Sequence, residues 1–254
     1  MKNRTSGYVI GAVAVILLVA AGTFLPGEIA LGRDRVILGQ VRSEPLDAAE
    51  LSDYVNISMV DKVGLLAQSA GTTSVQLKIG AEYDQDTIRA KFLEELDKLY
   101  QQRFYPLPVE RGLTVAGSGV TLYIQNDAPA INMIVWEIEI RTDKGSGVFY
   151  MDDQTGKILS FIFSGAGGED LIYTEDTAKS WASYLGTEVR NIKKGPAPDE
   201  TPGSALETLY FFELYSGPMG VSGQIAGFIQ PGENIINRWS LNYTQVNYDR
   251  IRPQ

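Results

Sequence analysis

Two adjacent acids, Asp152 and Asp153, stand in the segment GVFYMDDQTGKILSF between two runs that alternate like β-strands. Paired carboxylates supply oxygen ligands for Ca²⁺ and can also carry acid–base chemistry. The spacing does not match a calcium loop, because Gln154 and Gly156 stand where that loop needs its next oxygen ligands. Asp, Gln, Thr and Gly instead suit a tight hairpin turn, with aspartate accepting turn N–H groups and Gly156 at positive φ. We therefore expect a turn, and we predict no metal site.

A second pair of acids, Glu137 and Glu139, lies on the strand-like run WEIEI. The two side chains would project from one strand face about 6.5–7 Å apart at the backbone, a spacing similar to that of glycosidase carboxylates. This pair is the basis for one alternative function, a carboxylate-dependent cell-wall hydrolase. Alternating acids are far more common on solvated strand faces, and nothing nearby predicts the burial that would raise one pKa. We therefore predict no catalytic residue.

The composition removes several classes of site. The 254-residue chain contains no cysteine and no histidine, which excludes thiol catalysis, histidine-dependent triads and Cys/His zinc or iron sites. Its formal net charge of −9 argues against a nucleic-acid partner and against attraction to an anionic membrane surface. The sequence predicts no cofactor.

Residues 8–25, YVIGAVAVILLVAAGTFL, carry no charge. As a helix they would span about 27 Å, which is close to the thickness of a bilayer core. We predict a cytoplasmic stub at 1–7, a single transmembrane anchor at 8–25 and a stalk at 26–45, with the rest of the chain extracytoplasmic. A cleaved signal peptide is the alternative interpretation. Gly7 and Gly11 form one GxxxG motif, which would support only a weak dimer.

The predicted location is therefore the cell membrane, with a single pass. Export without disulfides fits a Gram-positive surface.

The rest of the sequence predicts an α+β fold. Residues 83–104 have a helical apolar stripe, and four strand-like runs follow, at 119–125, 131–141, 147–152 and 157–164. The same order recurs from residue 173, with a helix at 173–186 and strand-like runs at 188–193, 206–216, 220–230 and 234–246. We therefore predict two helix-on-antiparallel-sheet modules, at 46–168 and 169–254, and we consider an ancient duplication.

The segment KKGPAPDETPGS, residues 193–204, contains three prolines and two glycines. It predicts an extended, exposed loop. Long loops often carry partner sites, and a tolerated insertion is the alternative. The candidate interaction residues are Lys193, Lys194, Pro196, Pro198, Asp199 and Glu200.

The run WEIEI, followed by GVFYMDDQTGKILSF, resembles the second half of a PepSY domain, in which a tryptophan-bearing strand precedes a strand that ends in Asp-Ala-x-Thr-Gly. The matching residues are Trp136, Asp152, Thr155 and Gly156, whereas Asp153 replaces the usual small residue. The resemblance implies small α+β modules, PepSY-like or cystatin-like, of a kind found in exported bacterial proteins. Such modules are thought to bind or restrain peptidases, and the family has no catalytic residue to transfer.

Our leading hypothesis is a membrane-anchored, non-catalytic binding protein that modulates a cell-envelope peptidase or a signalling partner. The wall hydrolase is one alternative. The other is a module that binds wall polymer or peptide through the aromatic side chains of LYFFELY, residues 209–215.

Overall fold

A computed structural model describes residues 57–67, 71–109, 113–166, 171–195, 206–217, 219–229 and 237–248. All of them belong to one of two structural units of the chain, Pro45–Gln254. No helix among these residues combines the length and the apolar character needed to cross a membrane. The predicted stub, anchor and stalk lie outside the described residues, as do Gly7 and Gly11.

The described residues form three helices and nine strands. In chain order these are α1 (Met59–Ala67), β1 (Thr72–Leu77), α2 (Gln85–Gln101), β2 (Thr114–Gln125), β3 (Asn132–Arg141), β4 (Gly145–Asp152), β5 (Ile158–Gly165), α3 (Glu175–Leu185), β6 (Glu188–Lys194), β7 (Leu206–Ser216), β8 (Met219–Ile229) and β9 (Asn237–Tyr248).

The two longer helices begin and end at residues whose chemistry suits a helix terminus. The Asp84 side chain accepts hydrogen bonds from the first free N–H groups of α2, and Thr87 completes a capping box. Helix α3 ends at Gly186, which adopts the left-handed conformation at φ 78°. Both boundaries follow from the local sequence.

All nine strands lie in one antiparallel sheet, in the order β1-β2-β3-β4-β5-β9-β8-β7-β6. The central link is the pairing of β5 with β9, from Phe161 opposite Leu241 to Gly165 opposite Asn237. The predicted fold of two separate helix-on-sheet modules is therefore wrong. The last strand of each predicted sheet would have left backbone groups unpaired at its outer edge, and these two edges pair with each other instead.

The strand order is symmetric about the β5–β9 pair. Strands β2 to β5 on one side correspond to β6 to β9 on the other, and a helix precedes each set. Strand β1 lies outside this symmetry. A duplication would produce such an order, but the duplication itself stays a hypothesis.

Helices α2 and α3 pack on one face of the sheet through aromatic side chains. The ring of Phe92 in α2 lies 5.2 Å from that of Phe149 in β4, edge to face. In α3, Trp181 contacts Phe161 of β5, with ring centroids 6.4 Å apart. These rings are fully buried and form the centre of the core.

The two helices are also joined by a polar contact. The Tyr184 hydroxyl of α3 donates to Glu95 Oε2 of α2 at 2.8 Å and accepts the backbone N–H of Ile158 at 2.8 Å. Burial raises the pKa of Glu95, but hydrogen bonds from Lys98, Tyr184 and Lys91 outweigh burial and leave the pKa below its ordinary value of 4.5.

Because its pKa is lowered by folding, the Glu95 carboxylate stabilises the fold above about pH 4.5 and stops doing so as the pH falls through the lowered pKa. When the pH is lowered from 7 to 3.5, the melting temperature of Glu95→Gln should therefore fall less than that of the unmodified chain. Glu94→Gln, at an exposed glutamate that shares the same lysines, is the control and should have a smaller effect. An unchanged acid response in Glu95→Gln would contradict this assignment.

Candidate functional site

The β4–β5 turn has the bonds that its sequence predicts. The backbone N–H and the hydroxyl of Thr155 donate to Asp152 Oδ2 at 2.9 and 2.6 Å, and Gly156 has a φ of 67°. The surroundings differ from those of an ordinary surface turn, however. Asp152 and Asp153 are only 1% and 0% exposed, so both carboxylates need buried partners.

Lys62 of α1 is the partner of Asp152. Its ammonium lies 2.9 and 2.7 Å from the two carboxylate oxygens of Asp152 and 2.7 Å from Gln154 Oε1. Lys62 is itself 2% exposed, so the pair is a buried ion pair. The ammonium occupies the position in which a cation would bind both oxygens of Asp152.

Asp153 is satisfied by three N–H donors. Its Oδ1 accepts from the Trp136 indole at 2.7 Å, and its Oδ2 accepts from the backbone N–H groups of Ala81 and Glu82 at 2.8 and 2.9 Å. The loop approaches closely at Gly80, where an added Cβ would collide with the Asp153 carboxylate. Only glycine fits there without movement.

We call Lys62, Trp136, Asp152 and Asp153 the acid cluster. It joins α1, β3, the β4–β5 turn and the loop between β1 and α2. Its four carboxylate oxygens already accept one to three hydrogen bonds each from the chain. Within the described part of the chain, no group of three or more acidic side chains is placed to hold a metal ion. The acid cluster therefore holds these segments of the protein together.

Glu137 and Glu139 lie on the face of β3 opposite to Trp136 and are exposed. Glu137 lies near the tyrosines of the neighbouring strands, where burial together with its charge raises the pKa of Tyr123 and Tyr150. Glu139 is aligned with Val148 of β4 in the register. The structure places both acids on a solvated strand face.

The candidate interaction loop is only partly described. Lys193 and Lys194 are the last residues of β6, where they pair with Phe211 and Tyr210 of β7, so they belong to a strand and not to a loop. Both are exposed. Pro196, Pro198, Asp199 and Glu200 lie outside the described residues.

The segment LYFFELY is divided between the two faces of the sheet. It lies in β7, where Phe212 and Leu214 are buried and Phe211 is 41% exposed. Strand alternation explains the division. The segment therefore contributes one strongly exposed aromatic side chain, not a continuous aromatic platform.

Phe211 belongs to the sheet face opposite α2 and α3. Helix α1 packs on this face at the end that carries Asp152, where Met133 and Val135 are each 1% exposed, and we call the rest of it the open face. One row of paired residues crosses six strands of this face: Glu139, Val148, Ile162, Ser240, Ala226 and Leu209. At about 4.8 Å per strand the row is roughly 24 Å long. Its centre is apolar or small, and Phe211 and Phe228, exposed by 41% and 38%, lie on either side of its β7–β8 end.

The chain matches no protein-family model, no curated protein and no solved structure. The PepSY resemblance therefore stays a prediction. Of its matching residues, Asp152, Thr155 and Gly156 form the turn, whereas Trp136 contacts Asp153, the residue that departs from the family pattern.

The sequence interpretation missed Lys62 and the role of Asp153. A signal for Lys62 was present, because this lysine interrupts the apolar residues of MVDKVGLLA on the side of α1 that is buried. A lysine in such a position usually has a buried counter-charge. The partner, 90 residues further along the chain, could not be identified from spacing.

Asp152→Ala should lower the free energy of unfolding by about 3–5 kcal/mol, because it leaves the buried Lys62 ammonium without a counter-charge. The double variant Lys62→Met with Asp152→Ala removes both charges and should recover part of the loss. Chemical unfolding of the full chain measures both. Lys179→Met, which breaks an exposed ion pair with Glu175, should leave the transition almost unchanged. If Asp152→Ala unfolded like Lys179→Met, the ion pair would not stabilise the fold.

Gly80→Ala should lower the free energy of unfolding by about 1–3 kcal/mol, since the new methyl group collides with Asp153 and with the backbone oxygen of Tyr83. Gly119→Ala is the matched control, because its Cβ would meet only the Gln76 side chain at 4.0 Å. Thermal unfolding compares them. Equal melting temperatures for the two variants would contradict the close approach.

Proposed function

We propose that this chain is a membrane-anchored, non-catalytic protein of the cell envelope that binds another protein and thereby regulates a peptidase or a signalling partner. The anchor and the location rest on the uncharged residues 8–25. The binding role rests on one structural observation, the open face.

The open face supports binding because large apolar side chains remain in water there. Phe211 and Phe228 each keep more than a third of their surface exposed, although the core on the other side of the sheet is closely packed. Aromatic side chains at the centre of a docking surface contribute a large share of binding energy. The row between them and Glu139 offers small and apolar residues against which a partner can pack.

Charged residues surround this apolar centre. Glu137 and Glu139 lie at its β3 side, and Lys193 and Arg238 are exposed near its other side. An apolar centre with a polar rim is typical of protein–protein interfaces. A wall polymer would instead favour stacked, coplanar rings, and LYFFELY contributes only Phe211.

The experiment is site-specific photo-crosslinking of the full chain in the membranes of producing cells. Phe211→p-benzoylphenylalanine and Phe228→p-benzoylphenylalanine should capture the same protein. The control is the same substitution at Ile172, which is 50% exposed and lies between β5 and α3, away from the open face. Its capture of that protein should be at background level.

The combined Phe211→Ser and Phe228→Ser variant should reduce recovery of this protein at least about tenfold, with an unchanged melting temperature. Equal recovery by that variant would contradict the proposal. So would release of soluble fragments from purified peptidoglycan that Glu137→Gln abolishes, since this result would identify the hydrolase. Retention on purified wall polymer without any protein crosslink would identify the polymer binder.

A further inference from the structure

One part of the open face carries a carboxylate without a counter-charge in the described part of the chain. Glu137 of β3 is exposed, and none of the ion pairs among the described residues includes Glu137 or Glu139. Arg141, on the same face of β3, and Lys78, which follows β1, are also exposed and form no ion pair with either acid. A partner that covered Glu137 without supplying a positive charge would bury an unpaired carboxylate, which is costly.

The space beside Glu137 is open on the side of β2. The residues of β2 that pair with Glu137 and Glu139 are both glycines, Gly119 and Gly117. A Cβ added at Gly119 would meet only the Gln76 side chain, at 4.0 Å. A Cβ added at Gly117 would meet only the Glu139 carboxylate, at 3.7 Å. The two glycines therefore leave a shallow groove along β2, which we call the glycine groove, and an unbranched side chain can lie in it.

Two tyrosines lie near Glu137 on the other sides of this groove. Tyr150 of β4 pairs with Glu137 in the register, and Tyr123 of β2 pairs with Met133, at the end of the sheet face next to α1. Burial and the charge of Glu137 raise the pKa of both tyrosines, and a hydrogen bond to Glu137 contributes at Tyr150. Both hydroxyls are therefore neutral near pH 7, and Glu137 is the charged group of the site. Tyrosine rings beside a carboxylate also attract cations.

We propose that the protein bound at the open face presents a lysine or arginine side chain to Glu137, with the aliphatic part of that side chain in the glycine groove and its charged end beside Glu137 and Tyr150. This inference rests on the function proposed above, because it names the chemistry of the same partner. Carboxylate and hydroxyl oxygens both accept hydrogen bonds from an ammonium or a guanidinium group. The charge of the partner is thereby complementary to that of Glu137, which fixes the partner's position on the face.

The experiment measures how much protein the Phe211→p-benzoylphenylalanine chain captures in isolated membranes when a second substitution is present. At about 50 mM NaCl, Glu137→Gln should lower the capture at least about fivefold. At about 500 mM NaCl the difference should shrink to less than about twofold, because salt screens the charge. Glu175→Gln, at an exposed glutamate of α3, is the matched control and should leave the capture unchanged. The melting temperature should be the same for all these chains.

A second crosslinking position identifies the group beside Glu137. Gln76 of β1 is exposed, and its side chain is the one that borders the space above Gly119. Gln76→p-benzoylphenylalanine should capture the same protein as the crosslinker at Phe211. Mass spectrometry of the linked peptide should find a lysine or arginine within about three residues of the linked position.

The outcomes separate this inference from the function on which it rests. If Glu137→Gln leaves the capture at Phe211 unchanged, or if the peptide linked at Gln76 contains no lysine or arginine, the basic side chain is refuted and the binding role stands. Failure of the crosslinkers at Phe211 and Phe228 to capture any protein would refute both. If Gln76 captures no protein and added phosphocholine lowers the capture at Phe211, a lipid headgroup occupies the site and the proposal is wrong.

Discussion

The buried contact between Lys62 and Asp152 is the constraint on which the arrangement of this domain depends. An ammonium and a carboxylate, both almost completely removed from water, can remain charged only if they stay within hydrogen-bond distance. That requirement fixes α1 against the β4–β5 turn. The adjacent Asp153 binds Trp136 of β3 and two N–H groups before α2, so one dipeptide joins its own turn to three other segments of the chain.

Because the acid cluster has a structural role, we look for the binding site on the surface of the sheet. The core side of the sheet is filled by α2, α3 and the aromatic rings beneath them. The other side is covered by α1 only at the end that carries Asp152, and elsewhere it presents Phe211, Phe228 and a row of small or apolar residues. The edges also differ in charge, because β6 carries four charged residues while β1 and the first half of β2 carry none, although each edge contains a bulge. The binding role that we propose would use the open face.

Much of the secondary structure follows from the sequence. Asp84 and Gly186 mark helix ends because their side-chain and backbone chemistry is local, and alternation locates the strands because it is also local. The sequence does not show which strand lies beside which, and so the β5–β9 pairing that merges two expected modules could not be predicted. The ion pair could not be predicted from the sequence for the same reason. Lys62 is recognisable as an unusual lysine, but its partner depends on the three-dimensional arrangement. The exposed acids of β3 were correctly expected on a wet strand face.

Hydrogen exchange of the Trp136 indole N–H, followed by NMR in the folded full chain, tests the structural role of the acid cluster most directly. If Asp153 is a closed structural acceptor, this hydrogen should exchange as slowly as the buried indole hydrogens of Trp181 and Trp239, through global unfolding. Millimolar Ca²⁺ should leave its resonance unchanged. Rapid exchange, or a shift on addition of Ca²⁺, would show that the two acids form an open site and would contradict the account.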